Sequence, residues 1–385
     1  MKVVAAPNAF KESLSAVDAA RAIAIGARSA VSGCEVVELP IADGGDGTRE
    51  VLVRALRGQE IACDVHDPLG RPLRASFGRL EEGRLAVVEV ASASGLALLR
   101  SAEREPLRAS SYGTGELVRE ALAGGAERVL LGVGGSATVD AAMGLLAALG
   151  AEWLDDRGRP LQPSGAALAS IRSVNLGAVA RRLEHRELVV LADVDTPLLG
   201  EQGAAPVFAP QKGANAAQVA ELARGLQNFA AVVARTTGHD LGPLPRGGAA
   251  GGIAGSLFAL AGARLVSGID FILDLVGFDE ATRDAQLVIT GEGRLDVQSA
   301  FNKGPSGVAR RARRLGVPTI ALAGAISQDF EDPTGLFAAA LSIQRRPADF
   351  ETARASTAEW LTAASEQAIR LYELGRADRA STYRP

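Results

Sequence analysis

The sequence predicts an α/β protein in which a doubly wound parallel sheet is interrupted by a second α/β domain with a mixed sheet. Three observations carry this prediction. Apolar runs alternate with helical patterns at both ends of the chain, with two strands before residue 57 and three after residue 285. Between them the alternation lapses into short strands separated by turns. Three glycine-rich segments that carry acids follow apolar runs: ADGGDGT (Ala42–Thr48), GVGGSATVD (Gly132–Asp140) and TGEGRLD (Thr290–Asp296). Each reads as a strand running through a loop into a helix.

The elements follow in order. Lys2–Ala6 is a short buried strand. Ser15 opens a helix through Ala30, with Val17, Ala20, Ile23 and Ala27 at helical spacing. Glu35–Pro40 is the next strand, and ADGGDGT leads into a helix over Arg49–Leu56. Ile61–Val65, Leu73–Phe77 and Leu85–Val90 form the meander. Glu116–Leu122 is a helix, Arg128–Val133 a strand into the second glycine segment, and a further helix runs to Leu149. Glu187–Asp193 is a strand ending in ADVDTPL, and Asn215 caps a long helix. Arg246–Gly255 (RGGAAGGIAG) is a tight turn, a close helix-packing site or a hinge. Gln286–Thr290, Thr319–Ala323 and Phe337–Ile343 are strands, with a helix over Lys303–Leu315. Ser356 and Glu359 pair as a capping box for a final helix, and Gly375–Pro385 reads as a loose tail. The expected domains are 1–56 with 262–385, and 57–261.

Composition narrows the function. The chain has 385 residues, 47% hydrophobic and 22% charged, with a net charge of −4. With no basic block, nucleic acid and anionic membrane are not expected partners. Two cysteines, Cys34 and Cys63, support neither a disulfide framework nor a zinc cluster, and point to a reducing cytoplasm. No apolar run approaches the length of a membrane span.

Glycines let the backbone approach a bulky anion, and a helix start offers N–H groups to it. Acids beside such a loop repel phosphate, which suggests a bridging divalent cation. In GVGGSATVD, Gly134, Gly135, Ser136 and Thr138 are candidate phosphate donors. The same segment fits G-x-G-x-x-A at Gly132, Gly134 and Ala137, with Asp155 and Asp156 near the distance of a ribose contact, so an NAD(P)-dependent oxidoreductase is a second reading. Asp43 and Asp46 flank two glycines and suit Mg²⁺ or substrate hydroxyls. Glu292, Arg294 and Asp296 stand where open α/β sheets bind ligands. Lys11, Lys212, Arg294 and Lys303 are candidate anion contacts. Asp193, at a strand end, is a candidate base for a substrate hydroxyl, and Asp195 follows it. No Walker A loop, kinase glycine loop or G-x-S-x-G elbow is present, and the histidines His66, His185 and His239 share no ligand spacing.

Taken together, APNAFKESLSA, PIADGGDGT, DPLGRP, VEVASASGL, SYGTGELV, GVGGSATVD, VFAPQKGA, GGAAGG and ITGEGRLDVQSAFNKGPSGVA resemble the type I glycerate kinase family, from about residue 3 to about 325. The resemblance implies a flavodoxin-like domain interrupted by a second α/β domain. It implies transfer of the γ-phosphoryl group of ATP, with Mg²⁺, to a hydroxyl of D-glycerate, giving 2-phosphoglycerate or 3-phosphoglycerate. On that reading Gly134, Gly135, Ser136, Thr138, Gly291 and Gly293 meet the nucleotide. Asp43, Gly44, Gly45 and Arg294 meet substrate, Asp43, Glu292 and Asp296 hold the metal, and Asp193, Lys11 and Lys303 act in catalysis. A monomer or homodimer is expected. The chain departs from the family pattern at Asn8 and Ala9, where Asp and Ser are usual, and at Asp46 for Glu, Val139 for Asn, Ala141 for Gly, Ala209 for Gly and Asn302 for Gly. Losing the acid at position 8 removes a possible ligand or base, so a phosphometabolite sensor on a kinase scaffold is a third reading.

Overall fold

The computed structural model of the chain describes residues 1–296, 304–332 and 334–382. In chain order the strands are β1 (Lys2–Ala5), β2 (Glu35–Glu38), β3 (Gln59–His66), β4 (Pro72–Leu80), β5 (Leu85–Glu89), β6 (Arg128–Gly132), β7 (Glu152–Leu154), β8 (Ser173–Asn175), β9 (Glu187–Leu191), β10 (Arg264–Val266), β11 (Leu287–Leu295), β12 (Thr319–Ile326) and β13 (Ala339–Ser342). Residue contacts separate the chain into two units, Met1–Asp43 with Ile269–Pro385, and Gly44–Gly268.

In the first unit the sheet order is β13-β12-β11-β1-β2 and every pairing is parallel. This is the flavodoxin-like order, with its reversal between β1 and β11. Alternate residues of β1 supply opposite cores. Val3 and Ala5 pack with the Ala16–Ala30 and Thr357–Thr382 helices, and Val4 packs with Ile269, Leu273 and Val308 on the other face. Ser15 caps the Ala16–Ala30 helix through its hydroxyl, which accepts from the Asp18 amide at 3.2 Å. That helix is alanine-rich because its neighbour comes close: a Cβ on Gly26 would lie 2.2 Å from the Thr362 carbonyl.

Two expectations in this unit are corrected. TGEGRLD is not a turn. β11 runs on to Leu295, paired with β12 as far as Leu295 opposite Ile326. Gly291 and Gly293 serve close crossing there, since a Cβ on Gly291 would meet the Leu322 carbonyl at 2.1 Å. Ser356 closes the short helix Phe350–Ala355, capped by Asp349, and as expected also stands directly before the last helix, Thr357–Thr382, where its carbonyl accepts from the Trp360 amide at 2.9 Å. The last helix continues to Thr382 in place of a loose tail from Gly375. Ion pairs such as Arg370 with Glu366 and Arg376 with Glu373, at helical spacing, favour its continuation.

In the second unit the order is β10-β9-β6-β5-β4-β3. β3, β4 and β5 pair antiparallel, while β5, β6, β9 and β10 pair parallel, so the sheet is mixed as expected. The unit boundaries differ from 57 and 261 for packing reasons. The Thr48–Ala55 helix lies on the β4 face, where a Cβ on Gly78 would meet Val53 at 2.7 Å, and β10 pairs with β9. The helix expected to reach Leu149 is short, Met143–Ala148, preceded by Ala141 and Ala142 at φ 48° and 57°. The helix expected over Glu116–Leu122 begins earlier, at Tyr112. The RGGAAGGIAG stretch is the tight start of the Ala249–Ala261 helix. Gly251, at φ 68°, presses on the Thr138 carbonyl, which would lie 2.2 Å from a Cβ.

Asn215 caps the Ala216–Thr237 helix in a reciprocal box: its Oδ1 accepts from the Gln218 amide at 3.0 Å, and Gln218 Oε1 accepts from the Asn215 amide at 2.9 Å. Asn215→Ala is expected to cost about 1 kcal/mol of stability, measured by urea unfolding. No described helix is long and apolar enough to cross a membrane.

Candidate active site

Two of the glycine segments meet within the second unit. The Gly134 amide donates to the Gly44 carbonyl at 3.1 Å. A Cβ on Gly134 would lie 2.5 Å from Gly45 Cα, one on Gly132 would lie 2.8 Å from the Gly44 carbonyl, and one on Gly44 would lie 2.6 Å from the Leu191 carbonyl. These glycines are therefore needed for backbone-to-backbone contact at the carboxyl ends of β6 and β9. The ADGGDGT turn belongs on its Gly44–Thr48 side to the second unit, not to the outer domain where the sequence reading put it.

The turn is braced from behind. Thr48 Oγ1 donates to the Gly45 carbonyl at 2.7 Å, and Gly47, at φ 92°, starts the Thr48–Ala55 helix. Buried Glu89, at the end of β5, accepts from the Arg49 amide at 2.9 Å. Glu89 thus closes a helix start that carries no side-chain cap of its own. Burial pushes its carboxyl above the usual range; Arg49 opposes that shift and the Asp46 charge adds to it.

In Gly132–Asp140 the candidate phosphate donors are unequally placed. Gly135 is exposed and Gly134 partly so, whereas Ser136 and Thr138 are buried. The segment bridges to Ser94–Leu96, with the Leu96 amide donating to the Gly135 carbonyl and the Ala137 amide to the Ser94 carbonyl, both at 2.8 Å. The Gly134 and Ala137 amides are thus already engaged. This also removes the dinucleotide reading, which needs a helix opening directly on the glycine turn. No helix starts between Gly132 and Met143, and Asp155 is occupied in a turn by Arg157 and Arg159.

Lys212, read from sequence as a loop cation, lies almost wholly buried against this segment. Its Nζ donates to Ser136 Oγ at 2.8 Å and to the Thr138 carbonyl at 2.7 Å. Asp140, fully buried, accepts through Oδ2 from the Ser111 amide at 2.8 Å, the Ser111 hydroxyl at 2.7 Å and the Gly144 amide at 3.1 Å. Those bonds fix the bend before Met143–Ala148. Burial raises the Asp140 carboxyl despite these donors.

Asp193 follows β9 and is half-buried. Its Oδ1 accepts from Ser267 Oγ at 3.0 Å and from the Gly268 amide at 2.9 Å, tying the end of β9 to the segment after β10. Asp195 is exposed and pairs with Arg246 at 3.3 Å.

In the first unit, the loop after β1 crosses the extended part of β11. The Asn8 amide donates to the Gly291 carbonyl at 2.8 Å, and a Cβ on Gly293 would lie 3.3 Å from the Lys11 amide nitrogen. Asn8 is buried and its Nδ2 donates to Asp43 Oδ2 at 3.4 Å. Asn8 also faces the first residue of the Gly304–Arg314 helix, where a Cβ on Gly304 would lie 2.8 Å from its Nδ2. Asn8, Asp43 and the Gly291–Gly293 strand are thereby gathered at the order reversal of the sheet, with Glu292 between the two glycines. Lys11 is exposed, Arg294 is exposed and donates to Ser327 Oγ at 3.1 Å, and Asp296 lies just past β11. Lys303 and Asn302 lie outside the described residues.

Among the described residues no three His, Cys, Asp or Glu side chains gather closely enough to hold a metal ion by themselves. The set Asp43, Glu292 and Asp296 is therefore not a preformed cage. What the sequence reading missed is the bracing: Glu89 was not singled out, and Lys212 was weighed as an anion contact in a Gly/Pro loop. The signal available for both was a charged residue inside an otherwise apolar or Gly/Ala stretch, VVEVASAS and VFAPQKGA.

The chain matches the model of the glycerate kinase family over residues 3–373. It is 45% identical over 329 residues to a glycerate kinase of Bacillus subtilis (strain 168), covering 86% of each chain. It is 41% identical over 329 residues to the glycerate 2-kinase of Escherichia coli (strain K12), covering 86% of this chain and 87% of that one. A crystal structure of a Salmonella typhimurium LT2 protein described as a glycerate kinase 2 superposes with a TM-score of 0.86 at 37% identity, over 98% of this chain and 99% of that one.

Proposed function

This chain belongs to the glycerate kinase family, and on that premise we propose that it transfers the γ-phosphoryl group of ATP to a hydroxyl of D-glycerate, giving 2-phosphoglycerate. The observation that carries the reading is the family match over residues 3–373, which takes in all three glycine-acid segments. The 2-hydroxyl as acceptor rests on the similarity to a relative named glycerate 2-kinase.

Phosphoryl transfer depends chiefly on positioning and charge neutralisation. The donor set fits Mg²⁺ that arrives with the nucleotide, because Mg²⁺ in kinases is held by one or two carboxylates together with phosphate oxygens and water. Asp43 and Glu292 are the carboxylates we assign to it, with Asp296 as a further candidate. Bound there, it would neutralise phosphate charge. The rest falls to the chain's own residues. The exposed backbone at Gly134–Gly135 approaches a nucleotide phosphate, and Gly44 and Gly45 hold that turn in place. Asp193 accepts the proton of the attacking hydroxyl. Lys11 and Arg294 hold the glycerate carboxylate, and Lys303 neutralises the transferring group. The two free cysteines accord with a cytoplasmic enzyme.

The test is ADP release from ATP with D-glycerate, with and without EDTA, followed by NMR of the product. Magnesium-dependent turnover giving the 2-phosphate is expected. A folded protein that turns over no hydroxy acid would overturn the reading, and a 3-phosphate product would correct the regiochemistry.

A further inference from the structure

We propose that Lys212 is a positioning residue of the Ser136–Thr138 turn, and that its ammonium couples proton binding to occupancy of that turn by a phosphate group. The inference rests on the reading above that the turn meets nucleotide phosphate. Lys212 itself is buried and acts through the turn.

The geometry is that of a cation placed behind a glycine-rich loop. Nζ holds Ser136 Oγ at 2.8 Å and the Thr138 carbonyl at 2.7 Å, bracketing the buried half of the segment, while Gly135 is exposed on the same turn. The stem is fixed by a tight bend. Gly213 follows at φ 98°, where an added Cβ would lie 2.4 Å from the Arg104 carbonyl, and the Phe208 ring centroid lies 5.9 Å from Nζ.

A neutral amide could make both hydrogen bonds without the cost of burying a charge. An ammonium there differs from an amide in its electrostatic effect on what the turn binds. The groups facing it are Ser136 and Thr138 from the turn, Phe208 from the preceding helix, Arg104 beside Gly213, and Asp140. Of these, Asp140 is the charged group that acts on the ammonium, and its Oδ2 is spent on Ser111 and Gly144. The charge is thus only partly compensated.

Burial, opposed by Asp140, brings the Lys212 pKa down to about 7. In the free protein the ammonium therefore loses its proton around neutrality. An anion on the turn favours the charged form, and by linkage the charged form binds the anion more tightly. If the pKa rises by one unit on binding, about half a proton is taken up per nucleotide at pH 7.5, and Kd rises about tenfold between pH 6 and pH 9.

The experiment is calorimetry of MgADP binding to the full chain at pH 7.5 and 8.5 in buffers of different ionisation enthalpy, with hydrogen exchange of the 134–138 amides alongside. Wild type is expected to take up protons. Lys212→Met should abolish the uptake and weaken binding, and Lys212→Arg, which does not titrate in this range, should bind without uptake. Wild-type binding with no uptake at either pH overturns the proposal, as does uptake that persists in either variant. A purely structural Lys212 would weaken binding in Lys212→Met with no wild-type uptake. If MgADP binds but leaves the 134–138 amides unprotected, the phosphate reading of the turn falls with the proposal; protection without Lys212-dependent uptake sinks the proposal alone.

Discussion

Asp193→Asn is expected to lower kcat by about 10²- to 10⁴-fold, the usual range for losing a positioned general base, with little change in unfolding midpoint. The separation of the two effects follows from the geometry. Asp193 Oδ1 accepts from Ser267 Oγ and the Gly268 amide, and an asparagine oxygen can accept both. Those two bonds survive, while the change removes the carboxylate that takes the proton. Asp193→Ala removes the acceptor of both bonds and should also cost about 1–3 kcal/mol, because the Ser267 hydroxyl and Gly268 amide lose that partner. Steady-state kinetics with D-glycerate and thermal unfolding on the same preparations check this. Near-wild-type turnover in Asp193→Asn would show that this carboxylate only ties the end of β9 to the segment after β10.

Gly44→Ala is expected to destabilise the protein by about 2–4 kcal/mol, combining left-handed backbone strain with overpacking. Gly44 sits at φ 85°, and its added Cβ would lie 2.6 Å from the Leu191 carbonyl and 2.9 Å from Leu191 Cβ. Leu191 is the last residue of β9 and is fully buried, so neither partner can yield cheaply. The strain reaches the neighbouring turn, because the Gly44 carbonyl accepts from the Gly134 amide. Activity should therefore fall together with stability, in contrast to Asp193→Asn. Urea unfolding followed by tryptophan fluorescence is a direct readout, since Trp153 is buried in the second unit's core. Gly47→Ala, at φ 92° with open space around its Cβ, is the control for backbone strain without a clash.

The parts of the fold read correctly from the sequence were those governed by local periodicity. The β1 run, the Ala16–Ala30 helix with its Ser15 cap, the β3–β5 meander and the Asn215 cap each depend on residues within a few positions of one another. Errors came where a distant segment decided the conformation. TGEGRLD has the composition of a turn, yet β12 and the Phe10–Lys11 backbone pass against it and hold it as strand. GVGGSATVD looked like a strand-to-helix turn, but bonds from Ser94–Leu96, Gly44 and Gly251 keep it irregular to residue 142. Lys212 is a lysine in a Gly/Pro loop by sequence, and only the path of residues 136–138 makes it a buried cation.

By itself the sequence determined the α/β class, the interruption of one parallel sheet by a mixed one, and the family, since the family's blocks stand along the chain in order. Tertiary structure alone decided which glycine segments share a unit. Gly44–Gly45 rests on Gly132–Gly134, and TGEGRLD stays with Asn8 and Asp43. The physical reason is that a glycine's local preference permits many conformations and selects none. Whether it serves a turn, a strand crossing or a ligand is settled by which backbone comes within about 3 Å of where its side chain would have been.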